Sequence, residues 1–275
     1  MLKHICFAGG GFKGWTYIGT LRSLKELIDF KNIEQVVGVS VGSLFGLFYV
    51  LQFDYREILD FIINLNYSEL LDINLDYLIS NESIIQGKKY TELLKELITR
   101  KVDPDLTFKQ LYIHNGINYT VGAFNITESK MEYFNYQNNP DVKIIESIIA
   151  SCSIPLLFPP VKINDCFYYD GALCNNCPVD ILPELSTIAF DLDMSFKDGN
   201  SSSKVFEVIN SLSTIINNTH KKESHIGLVH QLLDSRFNNE LLNFNQTKDD
   251  IFNLYMHGYI NSKKILFETF KAIKN

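Results

Sequence analysis

Residues 36–53 include no charged side chain, and inside that run stands Gly38-Val39-Ser40-Val41-Gly42. So apolar a run has to be buried, in a protein core or in a membrane. Two serines and three glycines interrupt it, which suits a buried strand, a one-residue corner and a helix better than a membrane span. A serine at such a corner is pushed into a strained, exposed position. Glycine two residues to either side lets the backbone turn without a Cβ clash. The helix that follows points its free N–H groups and positive dipole end back at the serine, where a developing oxyanion needs them. G-x-S-x-G also arises as an ordinary turn, so by itself it does not define a nucleophile.

Upstream, residues 4–8 are a short apolar run closed by Gly9-Gly10-Gly11-Phe12-Lys13-Gly14. An apolar run ended by glycine predicts a buried first strand. Beyond Trp15, apolar residues recur every three or four positions (Tyr17, Ile18, Leu21, Leu24, Leu27, Ile28), with Arg22, Lys25 and Glu26 between them. That is one apolar face of a helix. Residues 36–39 predict the second strand, leading into Ser40. Strand, glycine loop, helix, strand, turn and helix in that order are met most simply by a parallel α/β layer with a right-handed crossover. A chain of 275 residues can bury one sizeable core or two small ones.

Gly9, Gly11 and Gly14 match G-x-G-x-x-G, the phosphate loop of dinucleotide folds. That reading also requires an acidic residue where the second strand ends. Here the strand ends in Val39-Ser40, and Glu34 lies at its start. An oxyanion hole is the better use: consecutive glycines expose backbone N–H groups with no side chain in the way. Parallel strands bring this loop and the Ser40 turn to one edge of the sheet, so the N–H groups of Gly10 and Gly11 can face a carbonyl held by Ser40.

Residues 54–110 read as mostly helical, with helices over 55–65 and 90–98. Residues 70–79 between them read as core-facing helix and loop, with a lid or a lipid-facing segment as the alternative. Leu111-Tyr112-Ile113, residues 119–124 and residues 131–134 predict strands, with Asn115-Gly116 and residues 125–130 as turns. Helical spacing resumes over 142–150. Residues 151–160 hold three prolines, which rule out a continuous helix and make a stiff segment suited to a pocket wall. Phe167-Tyr168-Tyr169 predicts a strand, followed by Asp170-Gly171-Ala172, a pattern that is commonly only a turn. Residues 186–191 predict a further strand, 199–203 a mobile loop, and 205–274 helices.

The net charge of −7 and pI near 5.4 argue against nucleic-acid binding and against purely electrostatic attachment to anionic lipid. The five cysteines, Cys6, Cys152, Cys166, Cys174 and Cys177, are scattered and odd in number, which fits a reducing compartment. Cys174 and Cys177 have C-x-x-C spacing, but no second pair follows and no redox context surrounds them, so metal or redox use is disfavoured. The apolar run after Lys3 is too short for a secretory leader. The expected location is intracellular, in the cytoplasm with peripheral access to a membrane.

Three stretches stand in fixed order: the glycine loop at Gly9 to Gly14, the G-x-S-x-G at Gly38 to Gly42, and Asp170-Gly171-Ala172. Together they resemble the patatin-like phospholipases. Ser151-Cys152-Ser153-Ile154-Pro155 through Phe158-Pro159-Pro160 is similar to that family's A-S-x-x-P-x-x-F-x-P segment. Asp170 to Pro178 is similar to its D-G-G-x-x-x-N-x-P run. The departures (Cys152, Ala172, Cys177) remove no catalytic group. The resemblance covers about residues 4–195 of a single domain over 1–275, whose part beyond about 200 carries no motif. It implies a three-layer α/β fold, with a mostly parallel central sheet flanked by helices and the elbow after an early strand.

It also implies a chemistry. Ser40 attacks an acyl ester, Asp170 is the general base, and Gly10 and Gly11, with Val41 N–H, hold the oxyanion. Gly9, Gly14, Gly38, Gly42, Gly171 and Ala172 support the motifs. Lys13 either adds positive potential or sits at the surface. No metal or other cofactor is expected. The implied partner is a phospholipid or other acyl lipid met in transient contact with a membrane surface, with a protein activator compatible and nucleic acid not expected. A free aspartate with a pKa of about 3.9 is a poor base at neutral pH, so burial beside residues such as Phe158 is expected to raise it. The rivals are a Ser-His-Asp esterase drawing on His220, His225, His230 or His257, and a catalytically inactive lipid-binding module on the same fold.

Overall fold

A computed structural model describes residues 1–66, 72, 83–192, 211–212, 214–216, 229–233 and 246–274. The chain opens with strand β1 (His4–Phe7), a 3-10 turn (Gly11–Trp15), helix α1 (Thr16–Leu27), strand β2 (Gln35–Val39) and helix α2 (Val41–Val50). Helices α3 (Tyr55–Ile63), α4 (Lys88–Thr99) and α5 (Phe108–Asn115) follow. Strands β3 (Asn118–Asn125) and β4 (Lys130–Phe134), helix α6 (Ile144–Ser151), and strands β5 (Val161–Ile163), β6 (Cys166–Asp170), β7 (Thr187–Asp191) and β8 (Val229–Gln231) complete the sheet. Helix α7 (Lys248–Lys274) closes the chain.

The sheet is mixed and mostly parallel. β8, β7, β1, β2 and β3 lie side by side in parallel, while β3 pairs antiparallel with β4 and with β6, and β6 with β5. β1 is buried on both faces, as its continuous apolar run requires. Ile5 and Phe7 join the large core under the helices, and Cys6 faces a smaller cluster with Val37, Ala189, Val179 and Leu182.

One feature of the pairing positions the site. β2 runs along β3 as far as Val39, which sits opposite Gly122. β6 comes from the other direction and ends with Asp170 opposite Ala123, the next residue. Gly122 and Ala123 have β4 on their other flank. The ends of β2 and β6 therefore meet head to head on one edge of β3, and Ser40 and Asp170 are brought together there.

α7 packs along α1 at close range. A Cβ at Gly258 would overlap the carbonyl oxygen of Thr16, and one at Gly19 would overlap that of Tyr255. Ser262 Oγ donates to Ser23 Oγ at 2.8 Å. At the rim of this contact Arg22 donates to the Tyr255 hydroxyl at 2.8 Å, and Lys263 pairs with Glu26 at 2.8 Å.

Two local expectations are corrected. Leu111-Tyr112-Ile113 lies in helix α5, not in a strand. Thr107 and Gln110 form a capping box at its start, and Gly116, at φ +74°, ends it, so the local caps outweigh the β propensity of three residues. The all-helical expectation for 205–274 fails at residues 229–231, which pair with β7 as β8. Strand β5, at the end of the proline segment, was not anticipated. The core-facing helix and loop expected over 70–79, with its alternatives, and the mobile loop expected at 199–203 lie outside the described residues, apart from Asp72. No helix among the described residues is long and apolar enough to cross a membrane.

Candidate active site

Ser40 stands at φ +52° and ψ −134°, left-handed backbone that a non-glycine residue rarely adopts and that carries about 1–3 kcal/mol of strain. The surroundings hold it there. A Cβ at Gly38 would overlap the Gly42 carbonyl oxygen, and one at Gly42 would overlap that of Phe7. Both flanking glycines are thus demanded by close backbone approach. The Ser40 N–H donates to Ser151 Oγ at 2.8 Å, and Ser151 Oγ donates to the Gly122 carbonyl at 2.6 Å. One hydroxyl therefore ties the elbow to β3.

Ser40 Oγ donates to Asp170 Oδ2 at 2.6 Å, and Asp170 Oδ1 accepts from Ala172 N at 2.8 Å. The Asp170 N–H donates to the Ser153 carbonyl at 2.8 Å. The short segment Ser151-Cys152-Ser153 thus clamps both residues, Ser40 through a side chain and Asp170 through a backbone carbonyl. Asp170 is only 3% exposed. Burial pushes its carboxyl up to about 7, against the pull of the two hydrogen bonds it accepts. A carboxylate so placed is a competent base near neutrality. The Asp-Gly pair does make a turn, since Asp170 caps the 3-10 turn Gly171–Leu173.

The glycine loop is pinned from three sides. The Tyr17 hydroxyl donates to the carbonyls of Ala8 and Phe190 at 2.8 and 2.9 Å. The Gly9 N–H donates to the Asn176 carbonyl at 3.2 Å, and Asn176 Nδ2 donates to the Gly9 carbonyl at 3.4 Å. Among the described residues, no hydrogen bond engages the N–H groups of Gly10, Gly11 or Val41. Gly11 and Val41 line the same cavity as Ser40. Gly10, packed against Leu192, is not among the lining residues. Gly14 leaves room for the Val41 side chain. Lys13 is 3% exposed, which removes the surface role.

The cavity, about 150 Å³, is lined by Ser40 and walled by Leu44 and Phe48 of α2, Phe61 and Ile62 of α3, Leu93, Leu94 and Leu97 of α4, and Ile154 and Phe158 of the proline segment. Among its described lining residues none is charged, so it suits a hydrocarbon chain. Tyr90 and Cys152 are also in the wall. The Cys152 thiol is pushed up to about 12 by burial and by the Asp170 charge, so it stays protonated.

Other sequence candidates fall elsewhere. Cys177 Sγ faces Cys6 Sγ at 3.9 Å, while Cys174 packs with Phe124 and Leu173, so the C-x-x-C pair is split between two clusters. His230 is on β8 and His257 on α7; His220 and His225 lie outside the described residues. Ser151, Tyr17 and Asn176 are named in the sequence only as members of a motif segment or a helix face, with no role at the site. A buried serine that bridges two backbones has no signature in the chain.

A mostly parallel sheet flanked by helices, with a strained serine corner and an aspartate brought into contact with it by an antiparallel strand, defines an α/β fold. The chain belongs to the patatin-like phospholipase family, whose model matches residues 5–183. It is 35% identical over 185 residues to probable lipid hydrolase 463L of Invertebrate iridescent virus 6, covering 65% of this chain and 62% of that protein. It is 24% identical over 217 residues to triacylglycerol lipase 4 of Saccharomyces cerevisiae, covering 67% of this chain but 23% of that protein. The match thus spans less than two thirds of either relative. Among solved structures, VipD from Legionella pneumophila superposes with a TM-score of 0.65 at 16% identity, over 98% of this chain and 67% of that one, a likeness of fold.

Proposed function

We propose that this protein is a lipid acyl hydrolase of phospholipase A or lysophospholipase type. Ser40 Oγ attacks the acyl carbonyl and Asp170 takes its proton. The N–H groups of Gly10, Gly11 and Val41 hold the oxyanion, and Lys13 adds positive potential behind them. Asp170 then activates the water that releases the fatty acid. The observation that carries this reading is the 2.6 Å contact from Ser40 Oγ to a buried Asp170, with Ser40 lining an uncharged cavity. The dyad invokes no metal, so the activity is independent of calcium. The substrate is an acyl lipid reached by transient contact with a membrane surface.

The test is fatty-acid release from phosphatidylcholine vesicles in the presence of a chelator, wild type beside Ser40→Ala and Asp170→Asn. Release by the wild type alone is expected. Release retained by Asp170→Asn sinks the dyad, and release abolished by the chelator sinks metal independence. The uncharged cavity also favours a neutral glyceride as an alternative substrate, so mono- and triacylglycerol belong beside phosphatidylcholine in the same assay.

A further inference from the structure

Tyr90 plays no part in the chemistry above, yet it brings a phenol into a hydrocarbon cavity. Besides Ser40, the only hydroxyl or thiol groups among the described lining residues are those of Tyr90 and Cys152. Tyr90 lies close to Cys152, and Cys152 lies close to Ser40 and Ser43. The phenol therefore stands one thiol away from the nucleophile. Its place is built from two directions. The Asp72 carboxylate accepts from the N–H groups of Gly87 and Lys88 at 3.0 Å each, capping α4 just ahead of Tyr90. The Ile85 N–H donates to the Leu157 carbonyl at 2.8 Å, tying the approach to α4 onto the segment that carries Cys152. The Tyr90 ring rests on Phe158, with centroids 6.2 Å apart.

In the dyad, only the proton that Asp170 returns answers the charge on the departing oxygen. When the acyl-Ser40 ester forms, the other ester oxygen departs with a developing negative charge, beside walls that are otherwise hydrocarbon. Asp170 has one oxygen on Ser40 and the other on Ala172 N. A second donor aimed at the departing oxygen lowers the barrier in the way an oxyanion hole does for the carbonyl oxygen. Burial, with Cys152 and Asp170 close by, holds the phenol well above its ordinary pKa, so the O–H donor persists across the working range.

We propose that Tyr90 is a further catalytic residue, whose Oη donates a hydrogen bond to the leaving oxygen of an alkyl ester while Asp170 returns to that oxygen the proton taken from Ser40. The bond from Ser40 Oγ to the acyl carbon forms, and the bond from acyl carbon to leaving oxygen breaks. The proton passes from Ser40 to Asp170 to the alcohol, and Tyr90 ends as it began. This rests on the Ser40–Asp170 reading.

The experiment compares one acyl chain on two leaving groups, glycerol and p-nitrophenol, with the full chain as wild type, Tyr90→Phe, Tyr90→His and Ser40→Ala. The p-nitrophenolate leaves without help, so a donor to the leaving oxygen matters only for the glyceryl ester. Tyr90→Phe is expected to lower kcat/KM on the glyceryl ester about 10–100-fold and on the p-nitrophenyl ester less than about threefold. Tyr90→His, which restores an N–H donor, is expected to recover part of the glyceryl-ester rate and keeps the test open should Tyr90→Phe fold poorly. Equal losses on both esters, or no loss on either, overturn the assignment of Tyr90 while the dyad stands. Activity retained in Ser40→Ala removes the dyad and Tyr90 with it.

Discussion

Asp170 combines a hydrogen bond to Ser40 with almost complete burial, and both its chemistry and its effect on stability follow from that. Its carboxyl is raised from an ordinary acid value to about 7 in the folded chain. A base with that value is half ionised near neutrality, so kcat/KM on an acyl ester is expected to rise with pH through about 7 and level off above it. The stability effect has the opposite sense. Below the unfolded pKa of about 3.9 both states are protonated and nothing is lost. As pH rises toward 7 the folded state alone retains the proton, so stability falls, by up to about 4 kcal/mol once the buried carboxylate ionises. Asp170→Asn should therefore be inactive yet more stable than the wild type at pH 8, with the gain vanishing near pH 4. Thermal midpoints at the two pH values check this, and an Asn variant no more stable at pH 8 would contradict it. Ser151 makes a prediction of another kind. Ser151→Ala leaves the buried Ser40 N–H without its acceptor, at a cost of about 1–3 kcal/mol. Its kcat should fall with KM little changed, because the side chains lining the cavity are untouched.

At the scale of elements, the strand–corner–helix unit of β2 and α2 works because two glycines admit backbone where a side chain would stand. Gly42→Ala drives a Cβ into the Phe7 carbonyl of the neighbouring strand. With backbone on both sides neither partner can give way cheaply, so a loss of about 3 kcal/mol is expected, read as a shift in the denaturant midpoint. Unchanged stability would mean that β1 and α2 do not meet this closely. The elbow was legible because its signals are short-range: glycine spacing, the apolar run and the absence of charge all lie within residues 36–53. Leu111-Tyr112-Ile113 was misread because a three-residue apolar run has no period, and the caps at Thr107 and Gly116 decide between helix and strand. The split of the C-x-x-C pair was likewise invisible, since Cys177 finds Cys6 on a strand 171 residues earlier.

For the whole molecule, the last helix matters although it lies beyond the family match and carries no recognisable motif. α7 crosses α1 through Gly19 and Gly258 with backbone on backbone, and α1 in turn supplies Tyr17, which holds the carbonyl at the foot of the glycine loop. Gly258→Val must separate the two helices. It is expected to cost about 3 kcal/mol or more and to lower activity by loosening α1 and the loop above it. Wild-type stability and turnover in that variant would show that α7 is not coupled to the site.

The sequence by itself determined the order of elements from β1 to α2, the glycine loop and the serine corner, because each is written in a short pattern with its own physical signature; Asp170 stood out only through its place in a longer series of motifs. Tertiary structure alone decided how they meet. The ends of β2 and β6 fall on consecutive residues of β3, a register set by a sheet that joins segments more than a hundred residues apart. The same packing chose Ser151 as the bridge, buried Asp170 far enough to raise its carboxyl, and turned Tyr90 into the cavity. Burial and long-range register arise from the sum of many contacts, and no local stretch of chain encodes them.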